Sequence, residues 1–208
     1  MRTVIIVAVL LTSCAAIASK PRYAALAAQA NDSQPVNSDD SWWKPIFFKS
    51  INERARVANL PALSKISLPK NDLEVRVWHG FGITLLEGFV LRRLAGQWAA
   101  IDLAGYDKRR PRSKYQIKLQ TPKSGWKGCW KRLEEVGLST LPDASQLGKE
   151  PIYPDAMSYV VEYNAGGNYR TYHYTSPETN DREEAKQMVK IGQIISEEFD
   201  LPELRPQQ

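Results

Sequence analysis

The sequence predicts an α+β domain, with an antiparallel sheet of about five to six strands and two helices. Several segments between residues 73 and 174 alternate apolar and polar residues with period two, and glycine-containing turns separate them. Two other segments show the spacing of amphipathic helices. Of the 208 residues, 43% are hydrophobic and 25% charged, which is typical of a globular domain. The expected order is a β-meander, a helix, a β-hairpin and a second helix.

The meander begins after Asp72. Leu73, Val75 and Val77 alternate with larger polar or aromatic residues, which predicts a half-buried strand. Three further strands are expected at residues 83–94, 97–103 and 115–119.

Both helices carry a countable apolar stripe. The first stripe comprises Trp126, Cys129, Trp130, Leu133 and Val136, and the second comprises Met188, Ile191, Ile195 and Phe199. Pro202 is expected to end the second helix. Because Cys129 lies on the packed face, we expect a buried structural thiol rather than a nucleophile.

A hairpin is predicted between the two helices, where residues 158–163 and 169–174 flank the pair Gly166-Gly167. Alternation places Arg170, Tyr172 and Tyr174 on one face of its second strand. If this face is exposed, it is a candidate protein-binding surface, because tyrosine and arginine anchor protein interfaces. If it lies beneath the last helix, part of it is core.

The N-terminal residues resemble an export signal of 13 residues. A positive charge at Arg2 precedes an apolar run over residues 4–11, which is too short to span a bilayer. The sequence Leu11-Thr12-Ser13-Cys14 is similar to a bacterial lipobox, which implies cleavage before Cys14 and attachment of a lipid to its thiol. An alternative cut after Ala16-Ile17-Ala18 would give a secreted soluble product. Both interpretations predict export.

The remaining chain divides into three parts. Residues 14–41 are rich in alanine and then in polar residues, which predicts a flexible tether. Residues 42–202 form the single α+β domain, and residues 203–208 are a tail. Four aromatic residues within positions 42–48 are expected to dock as the first packed segment, with a membrane-interface role as the alternative.

Charge is strongly polarised along the chain, whose net charge is +5. Residues 104–132 hold ten basic residues against one acidic residue, whereas residues 133–208 carry a net charge of −8. A basic segment predicts anion binding by Lys108, Arg109, Arg110, Arg112 and Lys114. In an exported protein the anions would be lipid headgroups, lipopolysaccharide phosphates or teichoic acids, and no nucleic-acid partner is expected. The alternative is a solvated loop that pairs with the acidic C-terminal half.

Composition limits the possible chemistry. Two cysteines and two histidines exclude a multi-cysteine zinc site, an iron–sulfur cluster and a disulfide framework. His79 and His173 follow aromatic residues in predicted strands, which favours packing over catalysis. No nucleophile-elbow motif occurs that would indicate a serine hydrolase of that kind. The sequence assigns no catalytic residue, metal ligand or cofactor.

One stretch resembles a pattern found in uncharacterised exported bacterial lipoprotein-like proteins. It covers about a third of the chain, from Trp126 to Phe199. Its marks are a tryptophan-containing helix, the sequence Gly137-Leu138-Ser139-Thr140-Leu141-Pro142-Asp143, the strand Val160-Val161-Glu162-Tyr163, and Tyr169-Arg170-Thr171-Tyr172-His173-Tyr174 before a closing helix. The resemblance implies a small α+β module of unassigned activity and carries no catalytic residue.

Together these features predict a binding or structural module of the bacterial cell envelope. It would be anchored by the lipid on Cys14, face the periplasm or the cell exterior, and contact an envelope protein or an anionic polymer. Two alternatives remain open: an envelope hydrolase whose site carries no recognisable motif, and an inhibitor of an extracytoplasmic enzyme.

Overall fold

A computed structural model describes residues 43–81, 86–103, 116–148 and 157–201. Within these ranges, six strands form one antiparallel sheet and three α-helices pack against it, so the α+β class is confirmed. The helices are α1 (Lys44–Val57), α2 (Gly125–Glu135) and α3 (Glu183–Phe199). The strands are β1 (Leu73–His79), β2 (Glu87–Leu94), β3 (Gln97–Leu103), β4 (Ile117–Lys118), β5 (Ser158–Ala165) and β6 (Asn168–Thr175).

The sheet has the order β4-β3-β2-β1-β5-β6, which places β1 near its centre. Val77 lies opposite Phe89 of β2 and Val161 of β5. All seven residues of β1 are buried, because helices or loops cover both faces of the sheet. The prediction of a half-buried strand is therefore wrong. Alternate residues of β1 do lie on opposite faces of the sheet, but both faces are buried, and one of them carries charged side chains.

Two predicted hairpins are confirmed by their turns. Ala95 and Gly96 connect β2 to β3 with φ of 51° and 76°, and Gly166 and Gly167 connect β5 to β6 with φ of 58° and 83°. Two consecutive positive φ angles match the right-handed twist of the flanking strands, which explains the glycines at these positions.

The first face of the sheet carries α2 and α3. Cys129 and Leu133 of α2 and Met188 and Ile191 of α3 are buried against the apolar side of β1. Both apolar stripes are confirmed, and α3 ends at Phe199. This face contains the larger apolar core.

The second face is covered by α1 and by the irregular segment at 58–68. The sequence predicted two helices, so α1 is a correction to the fold. Its apolar pattern is broken because Arg54 is buried whereas Ile46 is 61% exposed. Trp43 immediately before α1 is fully buried, as expected for a docked aromatic segment.

Candidate functional site

Tyr172 and Tyr174, on the face of β6 that the sequence offered as a protein-binding surface, lie in the interior of the domain. Tyr172 and Tyr174 are 0% and 2% exposed, and their hydroxyls donate hydrogen bonds of 2.9 Å to the carbonyls of Leu138 and Pro142. Burial also raises the pKa of Tyr172. These two tyrosines therefore belong to the core. They do not form an exposed protein-binding surface, which was the other possibility that the sequence allowed.

Arg170 shares this face of β6 and is partly exposed. Its guanidinium donates hydrogen bonds to the carbonyls of Ser139 and Leu141, and it lies 5.4 Å from the ring centroid of Tyr172. Hydrogen bonds from Arg170 and the two tyrosines therefore hold the segment after α2 against the sheet.

The two histidines are buried in strands, as predicted. His79 is 4% exposed and His173 is 1% exposed, and burial lowers the pKa of each to about 4. The ring of His173 stacks on Trp43 with 5.0 Å between centroids, and its Nε2 lies 3.1 Å from Oγ1 of Thr175. Both imidazoles are thus neutral near pH 7 and serve packing.

Asp143 lies beside His173 but does not form a catalytic triad with it. Its Oδ2 accepts the backbone N–H of His173 at 3.1 Å, rather than a ring N–H. The hydroxyl and the backbone N–H of Ser145 both donate to Oδ1 of the same carboxylate, so Asp143 caps the short 3-10 helix that follows it. We interpret Asp143 as a structural anchor.

A charged cluster is enclosed between the sheet and the segment at 58–68. Glu74 and Arg76 are fully buried and Glu162 is 1% exposed. Nε of Arg76 donates to Oε1 of Glu74 at 2.7 Å, and Nη1 donates to the carbonyl of Pro61 at 2.9 Å. These bonds join the covering segment to the central strand.

Glu162 completes this cluster. Burial raises its pKa, while the charge of Arg76 opposes that shift. Its carboxylate accepts hydrogen bonds from Nε1 of Trp78 at 2.7 Å and from the hydroxyl of Tyr169 at 3.1 Å. The three charged side chains are each at most 1% exposed, so they do not contact solvent in this conformation and carry no proposed chemistry.

A different set of residues forms a partly exposed surface, which we call the tryptophan–lysine face. It consists of Arg93, Trp98, Trp126, Lys127, Trp130 and Lys131. The rings of Trp98 and Trp126 are nearly parallel, at 4° and 6.2 Å between centroids, and Trp130 lies 5.7 Å from Trp98. Arg93 lies 5.4 Å above the ring of Trp98. The inner parts of these rings pack against the larger core.

The spacing of α2 explains this arrangement. Trp126 and Trp130 are one turn apart on the helix, and Lys127 and Lys131 form the next row, which is exposed. Trp98 enters from β3, where it is paired with Arg93 of β2. The sequence assigned Trp126 and Trp130 to a buried stripe and the lysines to a basic run, but it gave no signal that Trp98 joins them.

The opposite side of α2 is neutralised by α3. Arg132 forms two ion pairs, one with Glu198 and one with Glu197, in which Nη2 lies 2.7 Å from Oε2 of Glu197. Nζ of Lys123 lies 2.5 Å from Oδ1 of Asp200. Lys123 and Arg132 therefore pair with acidic residues of the C-terminal half, whereas the predicted pairing of the basic segment at 108–114 lies outside the described residues. On the tryptophan–lysine face, Lys131 lies 3.6 Å from Glu135, and Lys127 forms no ion pair with the residues that the structure describes.

Two predicted sites lie outside the described residues. These are the lipidation site at Cys14 with the adjoining tether, and the basic segment Lys108, Arg109, Arg110, Arg112 and Lys114. Both stay predictions.

The described residues contain neither a helix long and apolar enough to cross a membrane nor a group of three or more side chains that could hold a metal ion.

Comparison with protein-family models, curated proteins and solved structures finds no match to this chain.

Proposed function

We propose that this chain is a membrane-tethered, exported binding module of the bacterial cell envelope that contacts an anionic component through the tryptophan–lysine face. The observation that carries the proposal is the clustering of three partly exposed tryptophans beside Lys127 and Lys131. The amines supply attraction to anions, and the rings supply contact area with little conformational entropy to lose on binding.

The basic segment at 108–114 is a second source of positive charge. The chain leaves β3 at Leu103 and enters β4 at Ile117, and these strands form one edge of the sheet. The five basic residues at 108–114 lie between these two points in sequence. We propose that their positive charge contributes to anion binding.

The tether supplies proximity to the membrane. In the proposal Cys14 carries the lipid, and the domain begins near Trp43. Residues 15–42 span at most about 90 to 100 Å when extended, whereas a domain of this size has a diameter of about 40 Å. Either side of the domain can therefore reach the surface that holds the anchor.

The test is capture from a solubilised envelope fraction. The full chain carrying Cys14→Ser is immobilised, and retained material is eluted with a salt step and assayed for phosphate. We expect a phosphate-containing component that salt releases, because polyanion binding weakens steeply as salt rises. Replacing Lys127 and Lys131 with glutamine, alone or together with Arg109, Arg110 and Arg112, should strongly reduce capture. Material that resists salt and binds the variant equally well would instead indicate an apolar protein interface and contradict the proposal.

A further inference from the structure

We infer that the tryptophan–lysine face docks on the surface of an anionic phospholipid bilayer. The domain would then make a second membrane contact in addition to the lipid on Cys14. This inference rests on the proposed function and names the anionic component as lipid headgroups.

The tryptophans provide the first argument. Trp98, Trp126 and Trp130 have one side in the larger core and another side exposed to solvent. Indole rings with this mixed environment are enriched at membrane–water interfaces, where an amphipathic ring sits at the level of the headgroups. A soluble polyanion offers its charges but no such interfacial layer, so three clustered rings favour a bilayer.

Charge complementarity provides the second argument. Arg93 lies 5.4 Å from the ring centroid of Trp98. Lys127 and Lys131 directly follow Trp126 and Trp130 in the sequence of α2, and the side chain of Lys131 is 77% exposed. The acidic residues on the same side of α2 are Glu135, whose Oε1 lies 3.6 Å from Nζ of Lys131, and Glu134, which accepts a hydrogen bond from the hydroxyl of Ser139 at 3.0 Å. The three basic groups therefore exceed the two acidic groups by one charge. Basic groups next to an anionic leaflet bind it electrostatically.

Because of the tether, even a weak affinity of the tryptophan–lysine face for the bilayer is enough for docking. A lipid anchor turns docking into an intramolecular event, with an effective concentration set by the length of the linker. A surface of three rings and three basic groups then determines which side of the domain faces the bilayer, while the lipid provides the attachment.

Binding to lipid vesicles tests the inference. The full chain carrying Cys14→Ser has no attached lipid, and its apolar segment at 4–11 is common to all variants. We expect co-sedimentation with equimolar phosphatidylglycerol and phosphatidylcholine to exceed co-sedimentation with phosphatidylcholine alone. The double variant Lys127→Gln/Lys131→Gln should bind the anionic vesicles about 5- to 30-fold more weakly, given the contribution of each basic residue near a charged leaflet.

The matched control is Lys186→Gln/Lys190→Gln. These two lysines are also exposed and one helical turn apart, but on α3, and Lys186 has an acidic neighbour as Lys131 does. The control removes the same charge and should leave vesicle binding nearly unchanged. An equal loss in both double variants would overturn the inference, because it would show that only net charge matters.

Insertion of the rings is measured separately. Brominated phosphatidylglycerol should quench tryptophan fluorescence in the parent chain, and Trp98→Phe/Trp130→Phe should lose most of that quenching while keeping its circular dichroism spectrum. Unchanged quenching in this variant would overturn the inference.

Two further outcomes separate the inference from the proposed function. If the chain captures a phosphate-rich polymer but does not bind anionic vesicles, the inference fails and the proposed function stands. If it binds neither, both fail. If Lys127→Gln/Lys131→Gln abolishes self-association but leaves vesicle binding intact, the face is an interface between copies of this chain and the inference is wrong.

Discussion

The indole nitrogen of Trp43 donates a 3.3 Å hydrogen bond to Oδ1 of Asp143, 100 residues further along the chain. Asp143 is 3% exposed and also accepts the backbone N–H groups of Ser145 and His173, at 2.9 and 3.1 Å. One carboxylate thus joins the start of α1 to the loop after α2 and to β6. The contact therefore holds the start of α1 against the sheet.

Asp143→Ala should lower the free energy of unfolding by about 2 to 4 kcal/mol, because it leaves several buried donors without an acceptor. Urea denaturation followed by circular dichroism measures the change. Asp181→Ala removes an exposed carboxylate and should cost less than about 0.5 kcal/mol. Similar losses for the two variants would show that Asp143 is not an anchor.

Arg76→Met should destabilise the domain by about 3 to 5 kcal/mol, because it leaves the buried carboxylates of Glu74 and Glu162 without their cation. Adding Glu74→Gln should recover part of this loss, since one uncompensated charge is then removed. Arg56→Met on the exposed side of α1 is the control and should have little effect. The absence of recovery in the double variant would contradict the ion-pair interpretation.

Stability should fall as the pH drops from 6.5 towards 4. His79 and His173 have a pKa of about 4 in the folded domain against an ordinary value of 6.5, so between these values the unfolded chain binds protons that the folded domain does not. Each histidine should remove on the order of 3 kcal/mol across this window. Above pH 6.5 their effect is absent.

Urea denaturation at several pH values measures this dependence. His79→Gln and His173→Gln should each flatten it. Glu87, whose Oε2 lies 3.6 Å from Nε2 of His79, would partly offset protonation there, so His173→Gln should flatten it more. Stability that does not change between pH 6.5 and 4 would contradict the assignment of both histidines as buried neutral groups.

Cys129 should be inert in the folded domain. It is fully buried. Burial is the main cause that raises the pKa of its thiol to about 12, and the nearby charge of Glu198 adds to the shift. In the Cys14→Ser chain it is the only thiol, and Ellman's reagent should label it only after denaturation. A Lys190→Cys variant should react at once at its exposed position. Labelling of Cys129 in the native chain at a similar rate would show that the core opens readily.

The spacing of apolar residues predicted much of the fold, because in most elements the apolar residues recur on the one face that packs against the rest of the domain. The stripe through Cys129 and Leu133 and the glycine pair at 166–167 are examples, and α2 and the second hairpin formed as expected. Helix α1 escaped prediction because it buries Arg54, so its inward face is not uniformly apolar. Its docking depends on long-range partners such as Asp143, which no local pattern contains.

The candidate site was harder to predict for the same reason. Alternation placed Tyr172 and Tyr174 on one face correctly, but burial of that face depends on the carbonyls of Leu138 and Pro142, which come from another segment. Likewise Trp98 reaches Trp126 only through the packing of α2 against β3.

Lysine footprinting distinguishes a tryptophan–lysine face that lies against the envelope from one that stays exposed to solvent. The Cys14→Ser chain, free or bound to isolated envelope membranes, is acetylated briefly, and the modified lysines are quantified by mass spectrometry. We expect binding to slow modification of Lys127 and Lys131 several-fold and to leave modification of Lys186 and Lys190 unchanged. Equal modification of Lys127 and Lys131 in the free and bound chain would contradict it.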